Sequence, residues 1–259
     1  MGSVRGPDGS LECLVTGSGE PVTVFAHGFA GSIGETRPFG SGVRGTRVFF
    51  HFQGHGASVP ADLPWSYAGL EAELRAVRVA YGASRGLGVS LGAGALLRSA
   101  VCFPETFERL VVVLPPALDR PRSGLALDRV QEMAQHAALH DVDGLTALLL
   151  AEQPEDVRRR RATQMWARSQ AERLSSPGLR DVIVQIPGLV PLDDRALLTR
   201  LTVPVLLIGQ EEDEAHPSSV VHEIAEVLPD ARVEIFSPGG VLWTHRARLR
   251  SLVSGFLND

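Results

Sequence analysis

Residues Leu110–Leu114 read Leu-Val-Val-Val-Leu, five apolar residues without a break. A strand with one wet face alternates polar and apolar residues. An unbroken run of this length predicts a strand buried on both faces, as in parallel sheets covered by helices. The surrounding chain keeps that rhythm. Short apolar runs at Leu11–Thr16, Val22–His27, Arg47–Phe52, Gly86–Ser90, Val203–Gly209 and Ala231–Ser237 read as strands. Between them, Ser66–Tyr81 spaces Leu70, Leu74, Val77 and Tyr81 as a helix does, and Leu91–Cys102 and Ser218–Leu228 follow suit. A last helix places Leu249, Leu252, Val253 and Phe256 in one stripe. Such alternation predicts an α/β fold, a mostly parallel sheet with helices on both faces.

The rhythm is interrupted once. Residues 117–199 contain no convincing strand, only helical stretches at Leu125–His140, Gly144–Glu152, Glu155–Leu174 and Leu179–Val184, broken at Pro154, Pro177 and Pro187. The expected organisation is therefore a core from 1–116 and 200–259, with an all-helical lid at 117–199. Ligands of such sheets bind beyond the carboxyl ends of the strands, where a lid would roof them.

Composition narrows the chemistry. A chain of 259 residues, 44% apolar, suffices for one large domain with an insertion or for two small ones. The net charge of −5 supplies no broad basic field for nucleic acid and no polybasic membrane patch. All 25 basic residues are arginine, which excludes Schiff-base and pyridoxal chemistry and the lysine of phosphate loops. No segment approaches the roughly 18 apolar residues of a membrane span, and no signal peptide is evident at the first residues. The expectation is a soluble, cytoplasmic protein acting on a small molecule, with no cofactor and no metal. Cys13 and Cys102 form no metal or redox motif and read as small buried hydrophobes. His136 and His140 stand one helical turn apart but lack a third ligand at a recognisable spacing.

Gly88-Val89-Ser90-Leu91-Gly92 fits G-x-S-x-G between a strand and a helix. In that context the turn is too tight for side chains beside it, and the serine hydroxyl is pushed into the open. The helix that follows aims free N–H groups at any oxyanion forming there. A dinucleotide loop fits worse: Gly86, Gly88 and Gly92 are spaced one residue too long for G-x-G-x-x-G. Three more segments stand in register with this motif. They are His27-Gly28-Phe29 with Gly31-Ser32, then Gln53-Gly54-His55-Gly56-Ala57-Ser58, then Pro104-Glu105 through Glu108-Arg109-Leu110. In order and spacing the chain resembles the α/β-hydrolase superfamily over most of 8–116 and 200–258. The resemblance implies a serine hydrolase with Ser90 as nucleophile and the N–H groups of Phe29 and Leu91 as the oxyanion hole.

A serine needs a base, and the base an orienting acid. The resemblance places the acid after Val203–Gly209, where Asp213 is favoured over Glu212, with Asp119 as an alternative position. The base departs from the family pattern. The family's histidine follows the glycine after the last strand, and here Val241 follows Gly240. His245, four residues on, would share its helical face, so His245 is read either as a displaced base or as a core histidine. His27 and His55 read as structural, and His216 and His222 as surface residues. The expected activity is hydrolysis of a small carboxylic ester, lactone or thioester. The alternative is a binding protein on the same fold that has lost its base.

Overall fold

The computed structural model describes residues 1–61 and 64–259. Eight strands form one sheet: β1 (Gly2–Arg5), β2 (Ser10–Thr16), β3 (Val22–Ala26), β4 (Thr46–Phe50), β5 (Arg85–Val89), β6 (Arg109–Val113), β7 (Val205–Gln210) and β8 (Ala231–Phe236). Their spatial order is β1-β2-β4-β3-β5-β6-β7-β8; β2 runs antiparallel to both its neighbours, β1 and β4, and the remaining pairs are parallel. The helices are α1 (Ile33–Thr36), α2 (Tyr67–Tyr81), α3 (Leu91–Cys102), α4 (Leu125–Ala138), α5 (Val142–Ala151), α6 (Glu155–Arg158), α7 (Arg161–Leu174), α8 (Pro177–Ile183), α9 (Ser218–Ala225) and α10 (Arg246–Asn258). None is long and apolar enough to cross a membrane.

The sheet is buried on both faces, as the Leu110–Leu114 run requires. Leu110 and Val112 pack into one core with α2, α3 and α9. Val111 and Val113 point the other way, into a core with Phe25, Phe49, Leu206, Ile208 and the α10 residues Leu249, Val253 and Phe256. Each such side chain, fully buried, stabilises the fold by about 1.5–3 kcal/mol. Helix ends follow their chemistry. Ser66 caps α2 by accepting from the Gly69 N–H, and Gly82 ends it in the left-handed conformation at φ 64°.

Chain order reverses at β3, which lies between β4 on one side and β5 on the other. A crevice opens at the carboxyl ends of β3 and β5 for that reason, since their following loops leave in opposite directions. Residues 27–32 follow β3 there, and Ser90 follows β5.

Between β6 and β7 the structure forms α4 to α8 and no strand among the described residues. Two details differ from the sequence reading. The stretch Glu155–Leu174 is two helices, parted at Arg159 and Arg160, and Pro177 opens α8 instead of breaking a helix. Proline suits that first turn because the N–H it lacks has no partner there. Cys102, expected to be buried, is exposed on the last turn of α3, whereas Cys13 is buried; both are free thiols.

Candidate active site

The turn from β5 into α3 is built around small residues. A Cβ on Gly88 would lie 2.4 Å from the Gly92 carbonyl oxygen, and one on Gly92 would lie 2.5 Å from the Ala26 oxygen. Ser90 sits between them at φ 49°, ψ −113°, a backbone conformation that non-glycine residues rarely adopt. Such strain costs about 1–3 kcal/mol and persists where the surroundings over-determine it. Here the Ser90 N–H donates to the Val113 oxygen of β6 at 3.0 Å, and the Gly94 N–H donates back to the Ser90 oxygen at 3.1 Å.

Gly28 crosses directly over the serine: a Cβ there would stand 3.3 Å from Ser90 Cβ. The register Ala26↔Gly88 sets this up, because two residues further along both strands Gly28 falls opposite Ser90. Leu91 follows Ser90 directly and Phe29 follows Gly28, and the backbone N–H of neither has an acceptor among the described residues. The loop carrying Phe29 is gripped from α7. Arg173 Nε donates to the Ala30 oxygen at 2.6 Å and its Nη2 to Glu35, while Gln170 Nε2 donates to the Phe29 oxygen at 3.4 Å. Ala30 itself is held at φ 53°.

Beneath the loop lie three buried histidines. His27 Nδ1–H donates to the Gly28 oxygen at 2.7 Å, and its Nε2 accepts the Phe52 N–H at 3.2 Å. His55 likewise donates from Nδ1 to the Gln53 oxygen at 2.9 Å and accepts the Ala30 N–H at 3.0 Å. His51 Nε2 accepts the Ile33 N–H at 2.9 Å, and its Nδ1 meets Glu12 at 2.8 Å. Each ring accepts a backbone N–H and is therefore neutral. Burial holds all three below the ordinary imidazole range, His55 at about 4.

The partner of Ser90 is His216. Its Nε2 stands 2.8 Å from the serine Oγ. The other ring nitrogen faces Asp213 at 3.4 Å, and the Asp213 carboxylate also accepts the His216 backbone N–H at 2.9 Å. Burial pushes the Asp213 carboxyl up, but the His216 imidazole and the hydrogen bonds from His216 and Ala215 outweigh it and hold the group ionised. The loop is braced by a residue the sequence did not single out: Arg122 Nη1 donates to the Ala215 oxygen at 2.9 Å.

The expectation that His245 faces Ser90 is corrected. His245 Nε2 lies 3.0 Å from the Ser237 oxygen, and the ring packs on Phe236 with centroids 5.3 Å apart. Alpha-helical spacing from Val241 would bring His245 over the same face, but Gly240–Thr244 forms a π-turn, where hydrogen bonds span five residues and a residue four positions on does not fall over the first. Val241 is buried, its N–H donating to the Gln210 side chain at 2.8 Å. His216 is correspondingly not a free surface residue, although His222 is exposed. Of the alternative acids, Glu212 is exposed and Asp119 is held by Arg195 through contacts of 2.7 and 2.6 Å. In the insertion His136 bonds Asp141 at 2.7 Å and His140 accepts from Arg180 at 3.0 Å, so the two rings have separate partners.

Compared by sequence, the chain matches no protein-family model and no curated protein. Compared by structure, it superposes along its whole length on known folds. An esterase from Exiguobacterium antarcticum matches with TM-score 0.81 at 18% identity, covering 99% of each chain. The protein has the α/β-hydrolase fold. An enol-lactonase from Burkholderia xenovorans LB400 gives TM-score 0.83 at 16% identity over 100% of both chains. A meta-cleavage product hydrolase from Pseudomonas fluorescens IP01 gives 0.78 at 16% identity, covering 100% of this chain and 97% of that one. His216, the ring beside Ser90, comes from the same loop as Asp213, after β7, whereas the family resemblance placed a histidine after the last strand.

Proposed function

We propose that the protein is a serine hydrolase that cleaves a small carboxylic ester, lactone or thioester through an acyl-enzyme at Ser90. The observation that carries this reading is the 2.8 Å contact between a strained elbow serine and His216. Ser90 Oγ attacks the carbonyl carbon while His216 Nε2 takes its proton. The resulting oxyanion is held by the N–H groups of Phe29 and Leu91. His216 then returns the proton to the departing alcohol or thiol, leaving Ser90 acylated. Water, deprotonated by the same nitrogen, attacks the acyl carbon, and the proton passes on to Ser90 Oγ as the ester bond breaks and the acid leaves. Asp213 orients the imidazole and stabilises its cationic form. The α4–α8 insertion serves as a cap: it touches the oxyanion loop through Gln170 and Arg173 and shapes what the site admits.

The fold relatives support the reaction class, since an esterase and a lactonase are among them. A binding protein without chemistry was suggested by Val241 at the family's histidine position; with His216 at the hydroxyl, that residue no longer argues for it. The test is turnover of p-nitrophenyl butyrate together with labelling by a fluorophosphonate. Hydrolysis is expected, with the label mapped by mass spectrometry to the Ser90 peptide. Absence of both would overturn the proposal.

A further inference from the structure

Away from Ser90, two adjoining cavities of about 290 and 340 Å³ share a wall at Pro38, Arg246 and Arg250. Neither Ser90 nor His216 lines them. One end is apolar, walled by Phe39, Leu249, Trp166 and Trp243, the two indoles edge to face with centroids 5.8 Å apart. The other end opens to solvent and is lined by Arg37 beside Arg246 and Arg250.

The arginines are placed against local electrostatic preference. Arg246 and Arg250 stand four residues apart on α10, so their like charges repel. Arg246 opens the helix, whose first turn carries no acidic residue, where the helix dipole disfavours cations. Arg248, between them, is answered by Glu234 and lies over the Phe236 ring at 5.1 Å. Arg37, Arg246 and Arg250 have no carboxylate partner among the described residues. On a chain of net charge −5, three unanswered guanidinium groups at the mouth of an aromatic slot form a complementary surface for one kind of molecule.

We propose that this groove binds an amphipathic organic anion, its apolar or aromatic body against the wall formed by Trp166, Trp243, Phe39 and Leu249 and its anionic head on Arg246 and Arg250. The groove is separate from the serine but mechanically close to it. Glu35, in its wall, is the residue that Arg173 holds while also holding the Ala30 oxygen.

The test is calorimetric titration with 4-phenylbutyrate, with its neutral amide 4-phenylbutanamide, and with acetate as the bare head group. Binding of 4-phenylbutyrate is expected, at least tenfold tighter than that of the amide or of acetate. The Arg246→Gln/Arg250→Gln variant should lose at least tenfold in affinity, and Arg248→Gln should not. Trp243→Phe should diminish the indole fluorescence change that accompanies binding. No binding to the wild type, equal affinity for acid and amide, or full affinity in the double variant would each overturn the proposal. The measurement needs no turnover, so it stands or fails independently of the reaction at Ser90.

Discussion

Ser90 Oγ and His216 Nε2 lie 2.8 Å apart although 126 residues separate them in sequence. The contact joins the loop after β5 to the loop after β7. Proton transfer in a general-base mechanism needs about 2.6–3.2 Å between heavy atoms, and this pair is already within that range.

His216→Ala and Ser90→Ala are therefore each expected to lower kcat on an activated ester by roughly four to six orders of magnitude. His245→Ala should retain most activity, since its ring is spent on Ser237 and Phe236. Both variants should keep the wild-type circular dichroism spectrum. If His245→Ala is the dead variant and His216→Ala the active one, the assignment of the base is wrong.

Asp213→Asn should lower kcat by about 10⁴-fold, the scale seen when an orienting carboxylate is neutralised. Glu212→Gln should be nearly silent. The comparison is made on one substrate at one pH, with KM expected to change little in either case.

Arg173→Met should uncouple α7 from the oxyanion loop. It removes a charged hydrogen bond from the Ala30 oxygen and leaves Glu35 without its cation. Hydrogen bonds to charged groups contribute about 1.5–3 kcal/mol each. The expected result is a lower Tm together with a fall in kcat larger than the rise in KM, because the loop aligns the transition state more than it binds the ground state. An unchanged kcat would mean that the loop keeps its shape without the clamp.

Stability should fall on mild acidification. His27, His51 and His55 are neutral in the fold and titrate normally when unfolded, so below about pH 6.5 the unfolded chain binds protons that the native protein refuses. For His55 the loss continues down to about pH 4 and amounts to about 3 kcal/mol. Glu73 works in the opposite direction. Burial raises its pKa to about 7, so its stabilising effect is complete below the ordinary carboxylate range and is lost as pH rises toward 7. Burial also raises the carboxyls of Glu35 and Glu152, each offset by an arginine, and the three fully committed histidines outweigh these groups, so chemical denaturation between pH 7 and 5 should show decreasing stability. In the Glu73→Gln variant the decrease should be steeper. A flat profile would mean that the histidines are protonated in the folded state.

The elements most legible in sequence were those with a single cause. Leu91–Cys102 matches α3 at both ends because the elbow starts it and Pro104 forbids its continuation. β1 was missed because Gly2-Ser3-Val4-Arg5 is a largely exposed edge strand with no apolar run to announce it. Ser90, Gly88 and Gly92 were legible because their constraint is local and steric. His216 was not, because its position depends on a loop held by distant groups, Arg122 from before α4 among them. One signal was present: Asp213 and His216 are three residues apart immediately after a buried strand, a spacing at which an aspartate accepts the backbone N–H of the later residue.

That spacing changes what can go out of alignment. When acid and base come from separate strands, three bodies must be kept in register, and a shift of either loop degrades the relay. Here Asp213 and His216 travel as one piece, like the two prongs of a plug. A movement at the end of β7 carries both together, and the only joint left to open is the gap to Ser90. Activity in this protein should thus respond to displacement of that loop as an on-off contact, with the histidine keeping its carboxylate in either position.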